Sequence, residues 1–507
     1  MPLRRALAEW GIPLGVACMV IAFAAGSSAY PHLKHYALDI RWIVLLTLCA
    51  AAVFDAFRRL WPTRSLPPRG VLAFSALAGA FLAVAVVSTA WSVAPRLTFE
   101  RAGTVGILFL LGAALGTSTA DDTAARLRLF QGLAAGAVVV GLLGVGVLVF
   151  DYSASAIQAT STSPWRYRGF TENPNTIAIL AGASLPILAA LAIRASSGRR
   201  QAGWFAGSLV LVGSIVASES RGGLLAAFAG TLVVTVFGVR GLRRQLVAVT
   251  ALVLVFGGGL AMRQAVQPPP PTFTSQIAAP QPLPPPVQQP HTPPGNQTKP
   301  TKTRPKTKPA KKNPGAHQQQ PKPAPQIVRP KVRTALLPQE QDEIGHPALS
   351  KQATTTVASG RIAAWEGALE QIGDRPILGY GFGTEQKVFL DRWYYFQGGS
   401  PENSYLGLLL QVGALGLALV LAMGLALVVG GFRALRIVEG DDRILVVASL
   451  GVIVAAAAIM LIQSYLYSVG NIASATVWIS MFVLSPIALA PRAARARIRA
   501  AAREGIA

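Results

Sequence analysis

Residues 403–431 read NSYLGLLLQVGALGLALVLAMGLALVVGG, an apolar run without a single charge. A helix of that length exceeds the roughly 30 Å of a hydrocarbon core at ~1.5 Å per residue, so the run reads as a membrane span. Pro401-Glu402 stands directly before it. About forty residues upstream, Ser359-Gly360-Arg361-Ile362-Ala363-Ala364-Trp365 opens a short amphipathic pattern with an arginine at its start. An ordinary connection between spans needs no such mixture of arginine, tryptophan, glycine turn and carboxylate. Together the two stretches predict half of an active site on the face turned away from the cytoplasm.

Working outward, the chain has 507 residues, of which only 13% are charged, and a mean hydropathy of +0.45. A soluble protein of this length would lack polar residues to cover its surface. Twelve spans are expected, near 12–29, 39–57, 70–90, 103–119, 130–150, 175–194, 203–219, 221–239, 245–262, 403–431, 444–463 and 471–490. The fold class is therefore all-α: a polytopic membrane protein with a large loop before its last three spans. Arg4 and Arg5 precede the first apolar run without a small-residue cleavage site after it, so the first helix is expected to be retained. Cys18 and Cys49 both fall in apolar runs and read as small buried side chains rather than a disulfide or metal pair.

A formal net charge of +24 would ordinarily suggest nucleic acid, but the distribution argues against it. Alternate connections carry Arg58, Arg59, Arg64 and Arg69; Arg126 and Arg128; Arg194, Arg199 and Arg200; Arg240, Arg243 and Arg244; Arg433, Arg436 and Arg443; and the tail from Arg492 to Arg503. The positive-inside rule assigns these, with both termini, to the cytoplasm. The opposite face receives 30–38, 91–102, 151–174, the tight turn 219–221, the segment 263–402, and 464–470.

That long segment divides by composition. Residues 263–333 hold more than half of the prolines and a cationic block from Lys299 to Lys312 without an acid. Such a stretch cannot bury enough apolar surface to offset its ordering entropy, which predicts a disordered spacer with polyproline II character. Residues 334–402 read as ordered: a helix over about 354–372, stopped by Gly373-Asp374-Arg375-Pro376, then a glycine-rich loop, Gly379-Tyr380-Gly381-Phe382-Gly383, and an apolar-aromatic stretch at Phe389–Phe396. Trp365 is expected on the helix's apolar face.

Arg221, at the start of a span beside Glu219 and Gly222-Gly223, is costly at membrane depth and so is a candidate for function; a snorkelling arginine paired with Glu219 is the plain alternative. Arg361 at a helix start opposes the helix dipole, which favours a role beyond solvation. Arg166 and Arg168 alternate with aromatics in Trp165-Arg166-Tyr167-Arg168-Gly169-Phe170, a pattern suited to a sugar phosphate or to an interfacial belt. Glu402 reads either as an acid near a helix start or as a general base. No Walker loop, nucleotide fingerprint or zinc spacing appears, and His32, His35, His291, His317 and His346 form no ligand cluster, so neither cofactor nor metal is expected.

Gly169-Phe170-Thr171-Glu172-Asn173-Pro174-Asn175, Ser218 to Gly222, Gly360-Arg361 with Trp365, Gly379-Tyr380-Gly381, and Asn403-Ser404-Tyr405-Leu406 with Gly413 and Gly416 resemble, in order and spacing, the O-antigen ligase/polymerase family of bacterial membrane glycosyltransferases. Trp91-Ser92 with Pro95 is also similar. The resemblance covers most of the chain apart from the proline-rich insert. It implies a multi-span inner-membrane enzyme that transfers a glycan from an undecaprenyl-pyrophosphate carrier to a hydroxyl of a glycolipid, glycan or protein, without nucleotide sugar or metal. Matched residue by residue, Arg221 and Arg361 would contact the pyrophosphate and Glu402 would stand where the family often has histidine. Arg166, Arg168, Asn173, Asn175, Trp365 and Asn403 complete the expected substrate site. A transporter or flippase for an anionic or lipid-linked solute, and a non-catalytic component of a polysaccharide export complex, are the alternatives.

Overall fold

The computed structural model describes residues 2–62, 64–157, 165–266, 361–389 and 400–490. All of these belong to one compact unit, formed by residues up to 270 and from 347 onward; a second unit, 271–346, lies outside the described residues. The expected proline-rich spacer and most of the Phe389–Phe396 stretch therefore fall outside them as well.

The chain is an all-α membrane bundle. Its long helices are α1 (Pro2–Ala25), α2 (Pro31–Leu60), α3 (Arg69–Val87), α4 (Pro95–Ser118) and α5 (Thr123–Phe150). After a one-turn helix α6 (Tyr152–Ser155) come α7 (Pro174–Arg194), α8 (Gly198–Ser218), α9 (Arg221–Gly238) and α10 (Leu242–Val266). The later part holds α11 (Arg361–Asp374), α12 (Glu385–Val388), α13 (Ser404–Ala434), α14 (Gly440–Met460) and α15 (Ser474–Ala488). Among the described residues ten helices are long and apolar enough to cross a membrane, and Glu9–Ala25 and Ser474–Ala488 are shorter apolar helices. These twelve fall where the hydropathy runs predict spans. The remaining regular structure is a two-residue antiparallel ladder, β1 (Ala156–Ile157) with β2 (Arg166–Tyr167).

The helix starts follow local chemistry. Pro31, Pro95 and Pro174 occupy the first turn, where no intrahelical N–H is needed. Side chains of Asp122, Asn173, Ser197, Ser220 and Asn403 accept otherwise orphaned N–H groups. Helices α7, α14 and α15 are buried nearly all round and form the centre, whereas α10 lies at the periphery. Small residues let backbones meet: a Cβ on Gly230 would sit 2.5 Å from the Gly451 carbonyl oxygen. Cys49 is buried, but Cys18 is exposed on α1, which corrects the expectation that both are interior.

The connections fall into two sets. At one end, Arg126 and Thr123 meet Asp442, Arg194 forms a bidentate pair with Asp441 at 2.6 and 2.8 Å, and Arg240 meets Glu439. At the other end, the Ser27 carbonyl takes the Glu172 N–H, Tyr30 donates to Asp151, the Trp91 indole donates to the Leu378 carbonyl, and the Asn403 N–H meets Ser464. The first end is the one dense in arginine.

The second end contains a broken helix. Gly413 inside α13 has φ +64° and ψ −166°, which interrupts the helical ladder. The Pro376–Gly381 loop fills the break. Tyr380 and Gly381 donate their N–H groups to the carbonyls of Leu410 and Gln411, while Ala414 and Leu415 donate to those of Pro376 and Ile377. Irregular backbone within a membrane bundle is tolerable only when its polar groups are satisfied by protein in this way. Glycine is required on both sides: a Cβ at Gly379 would lie 2.5 Å from the Gln411 carbonyl carbon, and one at Gly413 would lie 2.1 Å from the Ile377 oxygen. Trp91-Ser92-Val93 braces the same loop, through the Val93 N–H to the Tyr380 carbonyl and Ser92 against Gly381.

Candidate functional site

The turn between α14 and α15, residues 461–473, organises the second end. It takes hold of the start of α13 four times: Asn403 donates its side-chain amide to the Leu461 carbonyl at 3.1 Å, Ser404 donates to the Gln463 carbonyl at 2.6 Å, the Ser464 hydroxyl accepts the Asn403 N–H, and the Tyr465 N–H donates to the Ser404 hydroxyl at 3.1 Å. Asn403 also caps α13, its side-chain oxygen accepting from Tyr405 and Leu406. The residue before the cap, Glu402, is thereby forced into the left-handed region at φ +46°, where a non-glycine residue is held only by surrounding structure.

Glu402 meets three donors on one oxygen. Its Oε2 accepts from Arg361 Nη2 at 2.7 Å, from Arg361 Nε at 3.2 Å and from Gln463 Nε2 at 3.2 Å. Oε1 has no hydrogen bond among the described residues. The Arg361 and Glu402 side chains are 19% and 23% exposed, so the pair is part-buried but open to a ligand. Arg361 is the first described residue of α11. That helix buries Ala364, Ala368 and Ile372 against Leu410, Tyr380 and Phe389, which lays it on the first turns of α13. Trp365 sits at the edge of this contact rather than on the buried face, and its indole donates to the Pro401 carbonyl at 3.0 Å.

Arg166 joins the group from β2. It donates to the Ser218 carbonyl and to Asn175, both at 3.0 Å. Burial holds its guanidinium below the ordinary arginine range; Glu219 opposes that effect, Arg361 adds to it and Glu402 opposes it, which sets all four charges in one electrostatic neighbourhood. Ser218 ends α8 and Glu219 turns the chain at φ +55°, so α9 begins at once with Arg221. The next residue explains the glycine pair: a Cβ on Gly222 would lie 1.6 Å from Ile462, and one on Gly223 would lie 2.7 Å from Ala178. The start of α9 is thus pressed against the residue adjoining Gln463, the Glu402 partner. Arg221 is exposed and its side chain makes no hydrogen bond or ion pair with a described residue.

Arg166, Arg361, Glu402 and the α9 start carrying Arg221 accordingly surround one region, with Trp365 and Asn175 on its rim. Arg168 points elsewhere, clamping the Ser153 and Ala154 carbonyls. Asn173 is exposed at the start of α7, where its side chain accepts from the Asn175 N–H. The hydrogen bonds of Asn403 commit both ends of its side chain to the turn and the cap.

Sequence reasoning missed Gln463 and the neighbouring carboxyl, Glu385. Glu385 is buried and accepts from Ser464 at 2.6 Å, from Tyr467, and from Gln411 at 3.4 Å. Burial pushes it up to about 7, with the Ser464 and Tyr467 hydrogen bonds acting against that. One turn therefore touches two carboxyls, Glu402 through Gln463 and Glu385 through Ser464. The sequence offered a faint signal: Gln463, Ser464 and Tyr467 are polar residues following an unbroken apolar helix. An apolar groove of about 580 Å³, lined by Trp91 and residues 375–379, opens beside the loop that fills the α13 break.

A family model described as O-antigen ligase matches residues 206–421, the stretch from α8 to the middle of α13. No curated protein matches the chain significantly.

Proposed function

We propose that this chain, which over residues 206–421 is similar to the O-antigen ligase family, is a membrane protein of glycan assembly that transfers a glycan from an undecaprenyl-pyrophosphate carrier to an acceptor hydroxyl at the end of the bundle holding Glu402. The observation that carries this reading is the convergence of Arg166, Arg361 and Glu402 beside the start of α9. In the proposed reaction the acceptor oxygen attacks the anomeric carbon and the bond from that carbon to the diphosphate oxygen breaks. The acceptor proton passes to Glu402 Oε1, and undecaprenyl pyrophosphate leaves with inversion at the sugar. Arg361, Arg221 and Arg166 neutralise charge on the departing diphosphate, a task suited to planar, permanently charged guanidinium groups. The apolar groove beside the Gly379 loop suits the isoprenoid chain.

The arginine-dense end is assigned to the cytoplasm by the positive-inside rule, which puts the site and the long loop on the outer face of the inner membrane. The broken helix is the one feature that would favour a transporter, because unwound segments often hold a transported solute. Here the Leu410 and Gln411 carbonyls and the Ala414 and Leu415 N–H groups, on the two sides of the break, are taken by the Pro376–Gly381 loop instead of facing a solute. Arg361→Ala and Arg221→Ala in the native host test the reading: each is expected to abolish surface glycan with protein levels unchanged. Normal glycan with both changes combined would reject it.

A further inference from the structure

On the other side of the 461–473 turn lies a second positive site. Arg41, in α2, is wedged between two glycines: its Nη1 lies 3.4 Å from where a Cβ on Gly26 would be and 3.1 Å from where one on Gly470 would be. Its guanidinium stacks on Trp42 at 5.1 Å, yet Nε is buried without a hydrogen-bond partner. Stacking leaves the in-plane N–H groups unused, and an unsatisfied buried donor commonly costs about 1–3 kcal/mol. Arg101, in α4, lies within Coulombic reach of Arg41. Its stem covers Gly383, and it lines a cavity of about 100 Å³ with Gln386, Ser400, Tyr467 and Ser468.

Neither arginine forms an ion pair with a described residue. Nearby acids are engaged elsewhere: Glu100 with Arg96, Glu172 with Lys34, and Asp151 with Tyr30. Asp39 is exposed and makes no ion pair with Arg41. Glu385, in the cavity wall, is occupied by Ser464 and Tyr467. Two neighbouring guanidiniums with no ion-paired acid repel, and the polar cavity beside Arg101 has hydroxyl and amide walls together with Glu385, whose carboxyl is held by Ser464 and Tyr467. A single oxyanion would relieve the repulsion and give the idle N–H groups acceptors.

We propose that Arg41 and Arg101 form an anion-binding subsite, separate from the Arg361–Glu402 site, that takes a carboxylate or phosphate carried by a glycan substrate. The occupant rests on the glycosyltransfer reading; the anion site itself does not. The turn between the two sites bears Gln463 towards Glu402 and Tyr467 and Ser468 towards the cavity, so an acidic glycan held at Arg101 would lie beside the reacting centre.

The test uses the full-length protein in neutral detergent with Arg166→Gln, Arg221→Ala and Arg361→Ala, so that the first site is silenced by removing all three arginines assigned to it. Inorganic phosphate or glucuronate, at constant ionic strength, should raise its unfolding temperature by about 2–4 °C at saturation. Adding Arg101→Gln, a change at an exposed side chain, should abolish that rise, and Arg41→Gln should do the same if it folds. No rise in the silenced protein, or a rise that survives Arg101→Gln, overturns the proposal. Nanodiscs separate the sources: saturation by phosphatidylglycerol alone, absent from phosphatidylcholine discs, would assign the site to a lipid headgroup and overturn the glycan occupant. Should Arg361→Ala and Arg221→Ala combined leave surface glycan normal while the phosphate response persists, the glycosyltransfer reading fails and the anion site stands.

Discussion

Arg361 and Glu402, 41 residues apart in the chain, share an ion pair in which every donor converges on one carboxylate oxygen. The second oxygen has no described hydrogen bond, which gives the carboxylate two distinct ends, one fixed and one free to take a proton. Removing either partner leaves a part-buried charge without its main counter-ion, and such exposed-edge pairs are commonly worth about 1 kcal/mol. Glu402→Gln keeps the shape and the Arg361 contact but removes the base. Initial rates of glycan transfer should fall by roughly 100- to 10,000-fold, with the unfolding temperature moving only slightly. A turnover equal to that of the parent protein would reduce Glu402 to a structural acid.

Charge position can be separated from charge count by exchanging the two residues. Arg361→Glu with Glu402→Arg should recover most of the stability lost by either single reversal, since the pair can re-form in the opposite sense. Transfer activity should not recover, because the guanidinium would then lie where the carboxylate accepts the proton. A double-mutant cycle on thermal stability, read beside an activity assay, checks both halves. Recovery of activity would show that the pair is only a clamp.

Glu385 gives a pH dependence with a definite sign. Its folded value of about 7 lies above the 4.5 of a free glutamate. Between those values the folded state binds more protons than the unfolded one, so stability falls as pH rises through that window and levels off above about 7. The full difference corresponds to roughly 3 kcal/mol at most. Glu385→Gln removes the titration and should flatten the fall, leaving the variant relatively more stable above pH 7. Unfolding temperatures measured from pH 4.5 to 8 are the check; parallel curves for parent and variant would place the titration elsewhere.

Much of this architecture could be read in advance, for identifiable reasons. Each span declares itself because backbone in hydrocarbon must satisfy its own hydrogen bonds, which leaves long apolar runs. Asn403, Ser220 and Pro174 mark helix starts by side-chain chemistry that acts within three residues. What escaped was long-range. Nothing near Gln463 indicates that it donates to a carboxyl 61 residues earlier. Glu385 looks like any loop acid until the turn carrying Ser464 and Tyr467 closes over it. Periodicity predicts Trp365 on the apolar face, yet Ala364, Ala368 and Ile372 take the buried face and Trp365 stands at its edge, its indole donating to the Pro401 carbonyl.

The exchange of hydrogen bonds between the Pro376–Gly381 loop and the break in α13 should be the least forgiving part of the fold. Gly413→Ala forces a Cβ to within 2.1 Å of the Ile377 oxygen at a backbone angle that disfavours side chains. The strain alone is worth about 1–3 kcal/mol, and expelling the loop would leave four backbone groups unpaired. Gly424→Ala, in the same helix with nothing within 4 Å of the added atom, is the matched control. It should be neutral, or stabilising by up to about 1 kcal/mol through helix propensity. Unfolding temperature and yield of folded protein in detergent compare the two. Equal tolerance of both alanines would mean that α13 can run straight and that the loop is not locked into it.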